Sequence, residues 1–175
     1  MKPYKGPGVR PTADKVKGAL FNMLEPWDGV RVLELYAGTG NLGIEAISRG
    51  ASEVVFVERE VGCVKLIREN LASLGLAEGV GTPVIKVYQQ TVGQAFVQLH
   101  QAGKLFDVIL ADPPYAPGAA RAIQNFLKAF PLLSPGGILA IEHGEKDLDL
   151  APDIPGEMVR QRKYGETYLS LFRAP

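Results

Sequence analysis

The chain is poor in the residues that build metal cages and covalent staples. It has one cysteine, Cys63, and two histidines, His100 and His143, among 175 residues. One cysteine excludes an internal disulfide and a thiolate zinc cage, and with two histidines beside it no metal centre is expected. Neither sign of charge is in excess: 19 Lys and Arg balance 19 Asp and Glu. Holding long nucleic acid by charge alone requires a basic surplus, so any contact with a polyanion here is local. No apolar run approaches the ~18 residues of a membrane span. The opening MKPYKGPGVRPT also lacks the apolar centre of a signal peptide. The expected compartment is the cytoplasm. What is present fits one folded domain over residues 1–175, expected as a monomer. The hydrophobic fraction of 46% supplies a core and 22% charged residues keep the surface solvated.

Residues 1–12 are rich in Pro, Gly and basic side chains and read as an irregular basic arm; the first 20 residues carry a net charge of +4. Thr12, Asp14, Val16, Leu20, Phe21 and Leu24 then predict an amphipathic helix capped by Thr12 and ended by Pro26. Beyond it the pattern alternates. Strands are predicted at 30–35, 53–58, 83–88, 106–112 and 136–143. Helices are predicted at 41–50, 60–74, 91–101 and 118–130, the second with Val61, Val64, Leu71 and Leu74 on its apolar face. Residues 157–172 read as two strands meeting near Gly165. Strand–helix alternation with near-continuous apolar strands predicts an α/β fold, a doubly wound and mostly parallel seven-stranded sheet closed by a C-terminal antiparallel hairpin. The acidic stretch 144–157, net −4, reads as a solvated loop.

The first strand runs into LELYAGTGNLG, in which Gly38, Gly40 and Gly43 match G-x-G-x-x-G between a strand and a helix. Glycines there permit a tight turn and a close backbone approach to a nucleotide-like cofactor. Glu34 stands four residues before Gly38. A pyrophosphate would repel it, whereas the ammonium and sulfonium of S-adenosyl-L-methionine would attract it. Glu58 ends the second strand, 20 residues after Gly38, where a carboxylate can accept from ribose hydroxyls. Both NAD and S-adenosylmethionine carry such hydroxyls, so Glu58 indicates a nucleoside without choosing between them.

The fourth strand ends in Asp112-Pro113-Pro114-Tyr115. The two prolines stiffen the loop and offer no N–H, so it presents mainly acceptors. The Asp112 carboxylate and the Pro113 carbonyl can converge on one amino group, and Tyr115 offers a flat face for a base. This set suits the exocyclic amine of a nucleobase, a weak nucleophile whose lone pair is delocalised. Two acceptors on its N–H bonds localise that pair and stabilise the charge that develops as nitrogen takes up a methyl group.

With these residues, the chain resembles the class I S-adenosylmethionine-dependent methyltransferases that act on amines, and more closely the bacterial 16S rRNA (guanine-N2)-methyltransferase family. The resemblance rests on RPTADKVKGALFNML (10–24), LELYAGTGNLGIEAISRGA (33–51), FVERE (56–60), DPPY (112–115), IEHGE (141–145) and YGETYLSLFR (164–173). It implies a Rossmann-like fold and methylation of guanine N2 in 16S rRNA, with the small ribosomal subunit as partner. It also implies site residues. Glu34, Ala37, Gly38 and Gly40 would hold the methionine part of the cofactor, and Glu58 the ribose, with Arg59 beside it. Asp112, Pro113 and Tyr115 would be catalytic, with Pro114 and Tyr115 holding the guanine. Arg10 and Thr12 would contact substrate. Where the family carries Asp or Asn against adenine, this chain reads Tyr88-Gln89-Gln90-Thr91, and Gln90 is taken as the contact.

Other residues invite structural readings. His143 follows a strand and reads as structural before catalytic. His100 reads as a surface residue, Cys63 as packing or a mild surface thiol, and Trp27 as a cover for the core. Arg160, Arg162, Lys163 and Arg173 form a basic group that either meets RNA or is simply one face of a hairpin. DPPY also admits a DNA amino-methyltransferase, but the chain has no room for a separate target-recognition domain. An NAD-dependent oxidoreductase is disfavoured by Glu34 and DPPY. A non-catalytic RNA-binding assembly factor on the same fold is disfavoured by the presence of Glu34, Glu58 and Asp112.

Overall fold

The computed structural model describes residues 11–79, 81–114, 116, 118–145 and 156–175, with side chains of the first helix described from Val16 onward. Arg10, Tyr115 and most of the acidic stretch lie outside the described residues. The elements run α1 (Pro11–Met23), β1 (Arg31–Leu35), α2 (Asn41–Ser48), β2 (Glu53–Glu58), α3 (Val61–Ser73), β3 (Val84–Gln89), α4 (Val92–Gln101), β4 (Phe106–Ala111), α5 (Ala119–Ala129), β5 (Leu133–Gly144), β6 (Glu157–Tyr164) and β7 (Thr167–Arg173). The strands form one seven-stranded sheet in the order β3-β2-β1-β4-β5-β7-β6. Strands β1 to β5 pair in parallel. The last two strands run β5 antiparallel to β7 and β7 antiparallel to β6. The expected α/β fold with its terminal hairpin is the one observed.

Strand alternation sends successive side chains to opposite faces, and both faces are covered. One core joins Val16, Leu20 and Phe21 of α1 to Val54, Phe56, Leu110, Ala140, Leu169 and Leu171, with α2 and α3 on the same side. The other packs Phe96 of α4 and Ile123 of α5 on Leu33, Val55, Ile109, Leu139 and Phe172. Some boundaries depart from the sequence reading. Helix α1 begins at Pro11, so Thr12 lies inside it rather than at its cap, and residues 11–12 are helical rather than irregular. Proline at a first helical position loses nothing, because that N–H has no partner in the helix. The helix also stops at Met23, before Pro26. On α3, Val61 and Leu74 are exposed, whereas Val64, Ile67 and Leu71 carry the buried face. The two exposed residues sit at the first turn and at the cap, beyond the stretch that touches the sheet. Trp27 is buried and donates its indole N–H to the Phe21 carbonyl at 3.0 Å.

Strand order reverses between β1 and β4. Chain growth moves outward from β1 through β2 to β3, then returns to the other side of β1. Leu35 and Ala111 are register partners at the carboxyl ends of those two strands. Open α/β sheets bind ligands at such a switch point. At the opposite end of the sheet, Asp107 ties β1 to β5. Its carboxylate accepts from the Arg31 N–H at 2.9 Å, from the guanidinium at 2.8 and 3.1 Å, and from Ser134 Oγ at 3.0 Å. The Arg31 hydrogen bonds hold the Asp107 carboxyl down at about 2. A depressed carboxyl stabilises the fold above its ordinary value and loses that contribution as pH falls through its folded one. Asp107→Asn should therefore lower stability by about 1–2 kcal/mol near neutrality, a figure kept small because water reaches the pair. The difference from the parent should vanish towards about pH 2, as followed by urea unfolding across a pH series.

Candidate active site

The loop from β1 to α2 is held by two strand-end carboxylates. Glu34 is almost fully buried, and its oxygens accept from the N–H groups of Leu42 at 3.2 Å and Gly43 at 2.8 Å. It thereby satisfies N–H groups of the first turn of α2, which the helix cannot pair itself. Glu58 accepts from Gly38 N–H at 2.8 Å, Arg59 N–H at 2.7 Å and Glu60 N–H at 2.9 Å. The loop backbone between them is tightly wound. Tyr36 has φ of 55° and Gly40 of 78°, both left-handed. Gly40 adopts this freely, whereas a bulky residue such as Tyr36 does so only under constraint, as is common at functional sites. Gly43 is needed for closeness. A Cβ there would stand 2.4 Å from the Phe56 ring and 2.7 Å from Glu34 Oε2.

Two clefts open at this edge, with Tyr36 lining both. The first, of about 370 Å³, brings Ala37 and Gly38 of the glycine loop together with Glu34, Asp112, Glu142 and the α1 residue Lys17. Burial pushes the Glu34 carboxyl up to about 8 against the pull of its two amides, with Asp112 and Glu58 adding to the rise. Asp112 is reached by water, yet the protein packed around its cleft and the charge of Glu142 push it up to about 7. Among the described residues of this lining Lys17 is the single basic one, and its ammonium stands 3.7 Å from Glu45. The cleft is therefore built to receive positive charge.

The second cleft, of about 470 Å³, is lined by Glu58, Arg59, Gln90, Pro114 and Phe126 among others. Gln90 lines it and Gln89 does not. The Gln90 Nε2 is buried without a hydrogen-bond partner among the described residues, so an acceptor is wanted there. Helix α4 starts beside it with a reciprocal cap, in which Gln94 N–H donates to Thr91 Oγ1 at 3.3 Å and Thr91 N–H to Gln94 Oε1 at 3.0 Å. After β4, Pro113 is buried and Pro114 exposed, and Ala116 N–H donates to the Pro114 carbonyl at 2.6 Å, closing the turn.

Of the residues singled out from the sequence, the first cleft gathers Glu34, Ala37, Gly38 and Asp112, and the second Glu58, Arg59, Gln90 and Pro114. Gly40 lines neither and instead caps α2. The Thr12 side chain lies outside the described residues, as do Arg10 and Tyr115. Glu142 and Lys17 went unassigned, although both sit in motifs that carried the resemblance; a strand-end carboxylate in IEHGE was the available signal. His143 is buried on the far face, stacked on Tyr168, with its Nε2 2.8 Å from Ser170 Oγ, and so is structural.

The family model described as Conserved hypothetical protein 95 matches residues 1–173. The Bacillus subtilis protein named "Putative rRNA methyltransferase YlbH" is 36% identical, covering 99% of this chain and 92% of its own. A Haemophilus influenzae protein named ribosomal RNA small subunit methyltransferase D is 29% identical over 95% of this chain and 83% of its own. A solved hypothetical protein from Thermus thermophilus superposes with TM-score 0.78 at 32% identity, covering 98% of this chain and 92% of that one.

Gly43→Ala should show how tightly the loop is packed. Alanine gains about 1 kcal/mol of helix propensity, but overpacking a buried ring costs about 1–3 kcal/mol. With Glu34 crowded as well, a net loss of about 1–2 kcal/mol is expected, read as a lower urea midpoint at unchanged slope.

Proposed function

The chain belongs to the Conserved hypothetical protein 95 family, and from that membership and the acidic cleft we propose that it methylates the exocyclic N2 of a guanine in 16S rRNA, using S-adenosyl-L-methionine. The observation that carries this reading is the meeting of Glu34, Asp112 and Glu142 in one cleft beside the glycine loop. A pyrophosphate would be repelled there, and a ligand with two positive charges welcomed. Gln90 fits the same ligand, since its unpaired amide donor can serve a ring nitrogen of adenine. Ala37 and Gly38 line the methionine side and Glu58 and Arg59 the ribose side, while Gly40 supports the loop through α2.

When bound, S-adenosylmethionine supplies a methyl group on a cationic sulfur. The chain's part is to place and polarise the amine. Asp112 accepts one N–H of the target amine, and the Pro113 carbonyl accepts the other. Pro113 and Pro114 keep the loop from rearranging, and Tyr115 provides the stacking face. Arg10 and Thr12 belong to the motif that meets substrate. Glu142 supports guanine over the other amino bases. Guanine presents N1–H beside its amine, two adjacent donors that suit two neighbouring carboxylates. Adenine and cytosine present an acceptor beside theirs, which a second carboxylate would repel. The proton leaves the methylated ammonium readily, and Asp112, whose carboxyl is pushed up to about 7, is suited to take it.

The test is transfer of labelled methyl from S-adenosylmethionine to undermethylated small ribosomal subunits, with naked 16S rRNA and duplex DNA alongside. N2-methylguanosine in the digested RNA is the expected product; label on DNA alone, or on another nucleoside, would overturn the reading. Asp112→Ala should lower kcat by about 10²–10³ with cofactor still bound.

The raised carboxyls also set a pH dependence. Their folded values lie above the unfolded ones, so the ligand-free protein is progressively destabilised as pH climbs from the ordinary carboxylate range through about 7 and about 8. A cationic ligand favours the ionised forms and releases protons. Affinity for S-adenosylmethionine should rise between about pH 6 and 7.5, by up to about tenfold per unit for each proton released. S-adenosylhomocysteine, without the sulfonium, should show a flatter titration by calorimetry.

A further inference from the structure

The four basic residues of the C-terminal hairpin do not act as one patch. The sheet register divides them. Ala111 of β4 pairs with Ile141 of β5, so Asp112 and Glu142 are the next step outward on both strands. Glu142 pairs with Leu169, and Leu169 with Arg162. Two residues back along β5, on the same face, Ala140 pairs with Leu171, and Leu171 with Arg160. Cross-strand partners share a face. Leu169 and Leu171 belong to the core beneath α1, and Leu169 lines the acidic cleft. Arg160 and Arg162 are therefore on the cleft side of the sheet, in the rows that carry the site. Lys163 alternates to the other face, where its ammonium stands 5.0 Å over the Tyr168 ring and 3.9 Å from Glu145.

We propose that Arg160 and Arg162 hold phosphates of the nucleotides flanking the target base. This rests on the rRNA reading above. Among the described residues strand β6 is the outermost strand and pairs only with β7, and its arginines are exposed. Among the described residues neither arginine forms an ion pair; the Arg162 guanidinium donates to the Gln161 carbonyl at 3.3 Å. A register shift between Met158 and Arg160 leaves Val159 as an extra residue. That bulge lets Met158 pack against the opposite core while Arg160 stays on the cleft side. Three strand steps of about 4.8 Å separate Asp112 from Arg162 along their shared row. That span of about 14 Å is bridged by the arginine stem and by the nucleotide running from base to phosphate. The charges are complementary in order: carboxylates where the amine docks, guanidiniums where the backbone passes. Arginine also suits the planar, two-pronged recognition of phosphate.

The experiment compares Arg162→Ala with Lys163→Ala, adjacent substitutions that remove the same charge from opposite faces, together with Arg160→Ala. Each is assayed for binding and methylation of undermethylated small-subunit particles over a salt series, with S-adenosylmethionine binding as the control for folding. Each arginine variant should raise KM for the particles about five-fold at near-physiological salt, with kcat kept, and should flatten the slope of log affinity against log salt by about 0.7–0.9. Arg162→Lys should keep most of the slope, and Lys163→Ala should match the parent. Equal effects of Arg162→Ala and Lys163→Ala, or no effect of either arginine variant, overturn the assignment while leaving the methyltransfer reading intact. A parent protein that neither binds nor methylates the particles overturns both.

Discussion

Glu34 and Glu58 hold the glycine loop by its backbone, and the rest of the site depends on that hold. Each carboxylate sits at the end of a central strand and accepts N–H groups that the loop and the following helices cannot pair. Glu34 does so while almost fully buried. A buried carboxyl resists ionisation unless a positive charge joins it, and the amides offset only part of that penalty. The same residue thus shapes the loop and leaves the cleft short of positive charge.

That shortage accounts for the division of labour across the sheet. The neutral total of the chain hides a separation of charge. Carboxylates gather at the switch point between β1 and β4, where the cationic cofactor and the amine would meet. Arginines stand at the edge strand, and the Arg31–Asp107 pair closes the far end of the sheet. Because Asp107 is satisfied by Arg31 and Ser134, charge at that end is spent on pinning strands together. At the carboxyl end, carboxylates line the two clefts beside the glycine loop.

Much of the architecture was legible in the chain itself. EVVFVE is a strand from Glu53 to Glu58, and the two terminal strands meet where Gly165 was expected to turn them. The glycine loop and the Asp112 turn could be placed at one sheet edge from sequence, because strand–helix alternation forces parallel strands to end together. Helix ends were less legible. Thr12 looked like a cap, but Pro11 already starts the helix, and both residues are acceptable within a first turn. Val61 and Leu74 fitted the apolar period, yet at the helix ends there is no sheet beneath them to bury against.

The local signals therefore determined the elements, the loop chemistry and the family resemblance, since periodicity, glycine spacing and DPPY are all properties of neighbouring residues. Only the tertiary structure decided that Glu142 joins Asp112, that Gln90 rather than Gln89 lines the second cleft, that His143 turns away, and that Arg162 rather than Lys163 takes the cleft face. Those outcomes depend on strand register between segments far apart in sequence. A shift of one residue in pairing exchanges the two faces of a strand. Nothing within a single segment records which partner it will find.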